Sequence, residues 1–218
     1  AAEAVGRAGR FADLLESHAR AWAQLWRRCD LVLEGRHRTQ MILRLHIFHL
    51  LQTVSPNNVD LDVGVPARGL HGEAYRGHIF WAEPFIFSFL NTRLPEITRA
   101  LLLYRYRRLP AARRAAREAG FRGAMYPWQS GSDGREETQV LHLNPRSGRW
   151  NPDNTHLQRH VNAAIAYNVW RHSKVTGDRE FLCWYGAPML LEIARFWASI
   201  AEWNPARGRY EIRGVMGP

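Results

Sequence analysis

At 218 residues, with 46% apolar residues and nine Trp, the chain can bury a sizeable core in one domain, which excludes a disordered polypeptide. No run of about eighteen or more apolar residues occurs, so a membrane-spanning helix is excluded as well. The net charge of +10 does not amount to a nucleic-acid footprint: of 30 basic residues only Lys174 is a lysine, and the arginines are spread along the chain rather than gathered with aromatics.

The opening twenty residues are amphipathic and carry no apolar stretch of the kind that directs secretion, so a cytoplasmic location is expected. Phe11, Leu14, Leu15, His18, Trp22, Leu25, Trp26 and Cys29 follow a three-four spacing and predict a helix with a narrow apolar stripe. Arg38 to Val54 is apolar nearly all round, which predicts a second helix buried on both sides, ended by Ser55-Pro56-Asn57-Asn58. Both cysteines, Cys29 and Cys183, fall in helical patterns and are read as reduced core residues.

From Val59 to Gly77 the pattern is irregular and rich in glycine, as in a tightly folded loop. A helix is predicted from Ile79 to Leu90, another from Pro95 to near Leu109, and a short Arg-rich one from Pro110 to Ala119. The arginines between Arg105 and Arg117 are read as a solvated helix face. A second loop spans Phe121 to Glu137, and Asn144-Pro145-Arg146-Ser147-Gly148 predicts a small hairpin within Thr138 to Trp150. Two long helices follow, Asn154 to Val175 and Arg179 to Trp203, joined by Gly177 as a C-terminal stop and Asp178 as an N-cap. The tail from Pro205 reads as polar and extended. Helices alternating with short and long loops indicate an all-α fold of stacked helical hairpins whose long loops gather at one end.

Two loops mix Gly, Trp, His, Glu and Arg: Ala67 to Glu83, and Tyr126-Pro127-Trp128-Gln129-Ser130-Gly131 through Glu136-Glu137. That mixture suits a sugar, because an indole packs on the C–H face of a pyranose while polar side chains bond its hydroxyls. A buried structural network draws on the same residue types. His46 and His49 could contact a metal, but no third ligand lies at a recognisable spacing, and no metal site is assigned.

The run Gly69-Leu70-His71-Gly72-Glu73-Ala74-Tyr75-Arg76-Gly77-His78-Ile79-Phe80-Trp81-Ala82-Glu83 resembles the GLxGExYxGHxFWDxE segment of glycoside hydrolase family 65. Tyr126-Pro127-Trp128 with Gly134-Arg135-Glu136-Glu137, the helix start from His160 to Tyr167, and Arg209 to Pro218 resemble later segments in the same order. The family comprises phosphorylases of maltose, trehalose, kojibiose and nigerose, together with some hydrolases.

The resemblance implies part of an (α/α)6 barrel, with residues 1–36 a linker helix leading in and 37–218 the first portion of the barrel. It implies an α-linked glucose disaccharide as substrate, inorganic phosphate as co-substrate, no other cofactor, and a homodimer for the full-length protein. The reaction would be inverting phosphorolysis to β-glucose 1-phosphate, in which a glutamic acid protonates the glycosidic oxygen. Carried over by position, the substrate-binding set is His78, Trp81, Ala82, Glu83, Trp128 and Glu137.

Two departures bear on activity. The family has Asp where Ala82 stands, and the general-acid Glu is expected just after Pro218, so no catalytic residue is assigned and this stretch alone is expected to be inert. A trehalase-like α-glucoside hydrolase of the same family and a non-catalytic sugar-binding protein are the alternative readings. Ala82 speaks for the latter.

Overall fold

The computed structural model describes Gly6, residues 9–70, Gly72 and residues 74–217. His71 and Glu73 of the first loop motif, and Pro218, lie outside the described residues. Contacts divide the chain into two compact units, Ala1–His49 and Leu50–Pro218.

The first unit is a helical hairpin. Helix α1 (Phe11–Cys29) and the opening turns of α2 (His37–Thr53) are joined through Trp22, which lies 4.9 Å from Phe48 between ring centroids. Arg44 closes the turn by pairing with Asp30, and the Gln40 side chain donates to Leu31 O at 2.7 Å. Cys29 is buried at the end of α1, as expected. Along α2 only part of the apolar surface is covered: Ile47 and Leu51 are buried, whereas Met41, Ile42 and Leu45 are exposed. The expectation of a helix buried on both sides is therefore corrected. The apolar sequence goes all round, but no described element covers the Met41 side.

In the second unit, α3 (Glu83–Arg93) and α4 (Pro95–Arg107) form a hairpin packed against α6 (Val161–Thr176), with α5 (Leu109–Glu118) between α4 and the second loop. Phe87, Leu90, Leu94, Leu102, Ile165 and Val169 supply the core at this seam. The predicted start of α3 at Ile79 is corrected to Glu83. Ile79 is taken by backbone pairing to Ser130, and Pro84 suits only the first turn of a helix.

After α6, Gly177 adopts φ 72° and the Asp178 carboxylate accepts from Phe181 N at 2.8 Å, the stop and cap expected there. Helix α7 (Arg179–Phe181) runs through a π-turn (Leu182–Gly186) into α8 (Ala187–Ile200). Pro188 has no N–H to offer the preceding turn, and Ala187 N bonds Leu182 O instead, which widens the helix there. Cys183 sits on this wide turn and is exposed, so its reading as a core residue is corrected.

Two antiparallel hairpins complete the unit. The predicted one pairs β1 (Leu141–Asn144) with β2 (Arg149–Pro152). The other pairs β3 (Ala201–Asn204) with β4 (Arg209–Ile212), where a helix to Trp203 and an extended tail were expected. Its Trp203 and Tyr210 face each other at 5.1 Å, and Glu211 holds Arg209 and Arg213. The architecture is a mostly helical array of hairpins with long loops, a portion of an (α/α)6 barrel.

Candidate functional site

Both long loops are fastened to the helical scaffold by buried polar contacts. Glu83, at the first turn of α3, and Arg105, on α4, are each only 1% exposed and form a two-pronged pair, Arg105 Nε and Nη2 lying 3.1 and 3.0 Å from Glu83 Oε1. Arg105 Nη2 also donates to Phe80 O at 3.0 Å, tying the pair to the first loop. Burial pushes the Glu83 carboxyl above its usual range, against the charge and hydrogen bonds of Arg105. Glu83 was expected to face a ligand. Its oxygens instead hold the loop, because they are shut off from solvent and matched by the guanidinium fork. Arg105 likewise is not part of a solvated helix face.

The second loop is held from three sides. Tyr126 N donates to the Asn162 side chain of α6 at 2.7 Å, and the Tyr126 hydroxyl donates to Arg105 O at 3.1 Å. Tyr104 of α4 contacts Ser130 Oγ at 2.9 Å and donates to Gly131 O at 2.8 Å. The Glu136 carboxylate turns back to accept from Trp128 N at 2.7 Å and Gln129 N at 3.0 Å. The two loops are then zipped together by Ile79 N to Ser130 O and Ser130 N to Ile79 O, at 3.1 and 2.9 Å.

This frame brings Trp81 and Trp128 into a tilted stack, 5.7 Å between centroids at 29°. His160, immediately before α6, meets both edge-on at 4.8 and 5.1 Å, and Phe80 backs Trp128 at 4.6 Å. Trp81 is half-buried and Trp128 only 5% exposed. Polar atoms are held in this apolar setting without partners among the described residues: Trp128 Nε1, Gln129 Oε1, and both ring nitrogens of His160. Buried polar atoms in native proteins are normally satisfied, so these unmet ones stand out. Burial pushes the His160 imidazole below its usual range, which keeps it neutral near pH 7, with one nitrogen to donate and one to accept.

Ala82 adjoins Trp81 at the N-cap of α3 and contributes no side-chain acceptor. Its backbone is helical (φ −62°, ψ −3°) rather than extended, so the position is poorly shaped for capping.

His78 and Glu137 are set apart from the two indoles. Both line a polar concavity of about 380 Å³ with Arg76, Ser130 and Arg135, which Trp81 and Trp128 do not line. His78 Nδ1 is 2.9 Å from Tyr75 O, Glu137 pairs with Arg135 at 3.4 Å, and Arg76 Nη2 donates to Glu137 O. Tyr75 and Arg76 both have positive φ, 52° and 55°, a conformation that side chains resist. Stacking of Tyr75 on Phe80 at 4.1 Å and the Arg76 bond to Glu137 O hold the turn in place. Such strain concentrates at ligand-binding turns.

Among the described residues no three His, Cys, Asp or Glu side chains gather as metal ligands, and no helix is long and apolar enough to cross a membrane. His160 is the site residue missed by sequence reasoning. Its sole signal was the family-like helix start from His160 to Tyr167. Arg105 was missed because a run of arginines does not show which one points inward.

Comparison with known proteins decides the family. Residues 44–218 match the glycosyl hydrolase family 65 central catalytic domain. The chain belongs to family 65.

Among its relatives, an uncharacterised glycosyl hydrolase of Mycobacterium tuberculosis is 59% identical across 98% of this chain and 16% of its own length. The trehalose 6-phosphate phosphorylase of Lactococcus lactis is 44% identical across 93% of the chain and 26% of its own length. A kojibiose phosphorylase of Halothermothrix orenii is 40% identical across 96% and 27%. A solved human-microbiome structure described as a kojibiose phosphorylase superposes with TM-score 0.80 at 26% identity, over 96% of this chain and 26% of that one. The family 65 chain thus spans between 16% and 27% of these curated relatives.

Proposed function

We propose that this family 65 chain builds the glucose-binding wall of an inverting α-glucoside phosphorylase. The observation that carries the reading is the Trp81–Trp128 stack crossed by a neutral His160, with unmet polar atoms among the rings. An indole of this pair would take the C–H face of the non-reducing glucose, while Trp128 Nε1–H donates to a hydroxyl and His160 both donates and accepts. A phosphate oxygen then attacks the anomeric carbon from the opposite face, the bond from that carbon to the glycosidic oxygen breaks, and a glutamic acid delivers a proton to the departing oxygen. Glu83 is bound by Arg105, and Glu136 is engaged by the Trp128 and Gln129 amides, so neither has a proton placed for transfer.

The phosphorylases among the relatives support phosphorolysis over hydrolysis. Ala82 favours a second reading, a sugar-binding protein without turnover, since the missing carboxylate removes a charge-assisted acceptor worth about 1.5–3 kcal/mol.

The test uses the intact protein that carries this chain. Release of β-glucose 1-phosphate is followed with trehalose, kojibiose, maltose, nigerose and trehalose 6-phosphate in the presence of phosphate, for wild type and Ala82→Asp. Phosphate-dependent turnover by either form supports the phosphorylase reading. Glucose release without phosphate would replace it with hydrolysis. Saturable glucoside binding with no turnover by either form would establish the binding protein.

A further inference from the structure

A concavity of about 450 Å³ in the second unit is not lined by Trp81, Trp128 or His160. It lies beside them in sequence, where Pro127 and Arg159 form part of its wall. Three arginines from separate segments line it: Arg114 of α5, Arg159 ahead of α6, and Arg135 of the second loop, whose guanidinium is already paired with Asp133 and Glu137; His156 lines it alongside. Arg159 is the unusual member. It is half-buried, makes no side-chain hydrogen bond or ion pair among the described residues, and burial holds its guanidinium below the usual range. Glu136 supplies the one charge that relieves it, yet that carboxylate is already accepting from three backbone amides and the Thr138 hydroxyl. Arg114 likewise has no ion-pair partner among the described residues, whereas Arg113 beside it pairs with Glu192.

A partly desolvated arginine whose nearby carboxylate is already engaged by other donors is left short of hydrogen-bond partners, which an anion would supply. Two planar forks, Arg114 and Arg159, at one concavity match the oxygens of a phosphate better than a lone carboxylate. The remaining wall is mixed. Met125 and Pro127 provide apolar surface, while Glu118 can accept hydroxyl hydrogen bonds. The volume suits a small molecule. We propose that this concavity binds a phosphate dianion, carried by a small hydroxylated molecule such as a sugar phosphate, at a site separate from the glucose wall.

The test is equilibrium binding to the intact protein with three probes: glucose 6-phosphate, inorganic phosphate and glucose. Glucose 6-phosphate is expected to bind, with affinity falling about tenfold or more in Arg159→Gln and in Arg114→Gln, and less in Arg159→Lys. Arg114 is exposed on α5, so its variant carries the test if Arg159→Gln fails to fold. Tighter binding of glucose 6-phosphate than of phosphate identifies a phosphorylated sugar. Equal binding of both, with the same Arg dependence, identifies free phosphate as the source. Failure of both anions to bind at millimolar concentration would overturn the proposal. So would binding that neither variant changes by more than a factor of about two, which would assign the anion to the phosphorolysis site, and so would binding of glucose as tight as that of its phosphate. None of these outcomes depends on turnover, so the proposal stands or falls apart from the phosphorylase reading.

Discussion

Glu83 and Arg105 show how far a residue's neighbours alter its meaning. By position in the family-like motif Glu83 belongs beside Trp81 in a sugar site, and by composition Arg105 belongs to a basic helix face. Together they form a pair 1% exposed that ties α3 and α4 to Phe80 O. Removing one partner leaves the other charge buried, so Arg105→Ala is expected to cost about 3–5 kcal/mol of stability, read by chemical denaturation. Replacing both residues with apolar ones of similar volume is expected to cost much less. Ala82→Asp is a different kind of change. The helical backbone at Ala82 gives a cap little purchase, so the melting temperature is expected to stay nearly constant. Glucoside affinity is expected to rise by about one to two decades if Asp meets a hydroxyl.

At the scale of elements, the second loop crosses α8 at Gly123. The glycine has φ 75°, and a Cβ there would sit 2.1 Å from Glu192 O and 2.5 Å from Phe196 N. Neither backbone atom can step aside, because Ala124 N already bonds Glu192 O at 3.0 Å. Gly123→Ala is therefore expected to destabilise the protein by about 1–3 kcal/mol and to loosen Trp128, five residues further on, visible as a shift in tryptophan emission.

The β3–β4 hairpin depends on a carboxylate. Hydrogen bonds from Asn204, Arg213 and Arg209 hold Glu211 down at about 2, against an ordinary 4.5. A depressed carboxyl stabilises the folded form above the unfolded value and loses that contribution as pH falls through the folded one. The hairpin is thus expected to loosen between pH 4.5 and about 2, reported by exchange of the Trp203 and Tyr210 amides, with Glu211→Gln removing the transition.

For the whole molecule, the same linkage acts through buried histidines. His172 is 1% exposed, 2.8 Å from Asn91 Oδ1, and burial depresses it despite Asp178 nearby. A histidine held neutral favours folding above its unfolded value, near 6.5, and the contribution fades as pH falls toward the lower folded value. His160 adds in the same direction. The melting temperature of the intact protein is expected to drop between pH 7 and pH 5, with a shallower slope in His172→Gln. A flat profile would show that these imidazoles are not what acid reaches first.

The elements that local chemistry dictates were legible before any coordinates. Gly177 and Asp178 place a helix stop and a cap because the left-handed turn and the side-chain acceptor act within four residues. Pro95 opens α4 for the same local reason, and the three-four spacing from Phe11 to Cys29 sets a helix whatever lies around it. The family, too, was written in residue order, since the Ala67–Glu83 and Tyr126–Glu137 motifs follow one another along the chain as they do in the family. What tertiary structure alone decided is direction. Period and propensity place a residue on a helix but cannot say which face another segment covers, so Arg105 turned inward while Met41 stayed exposed. Ile79 left the helix because a partner strand at Ser130 satisfied its backbone, a long-range bond invisible to local pattern. The same folding together of distant loops set His160 between Trp81 and Trp128. No spacing in the sequence encodes that contact, because it exists only when two loops and the start of α6 are packed on one scaffold.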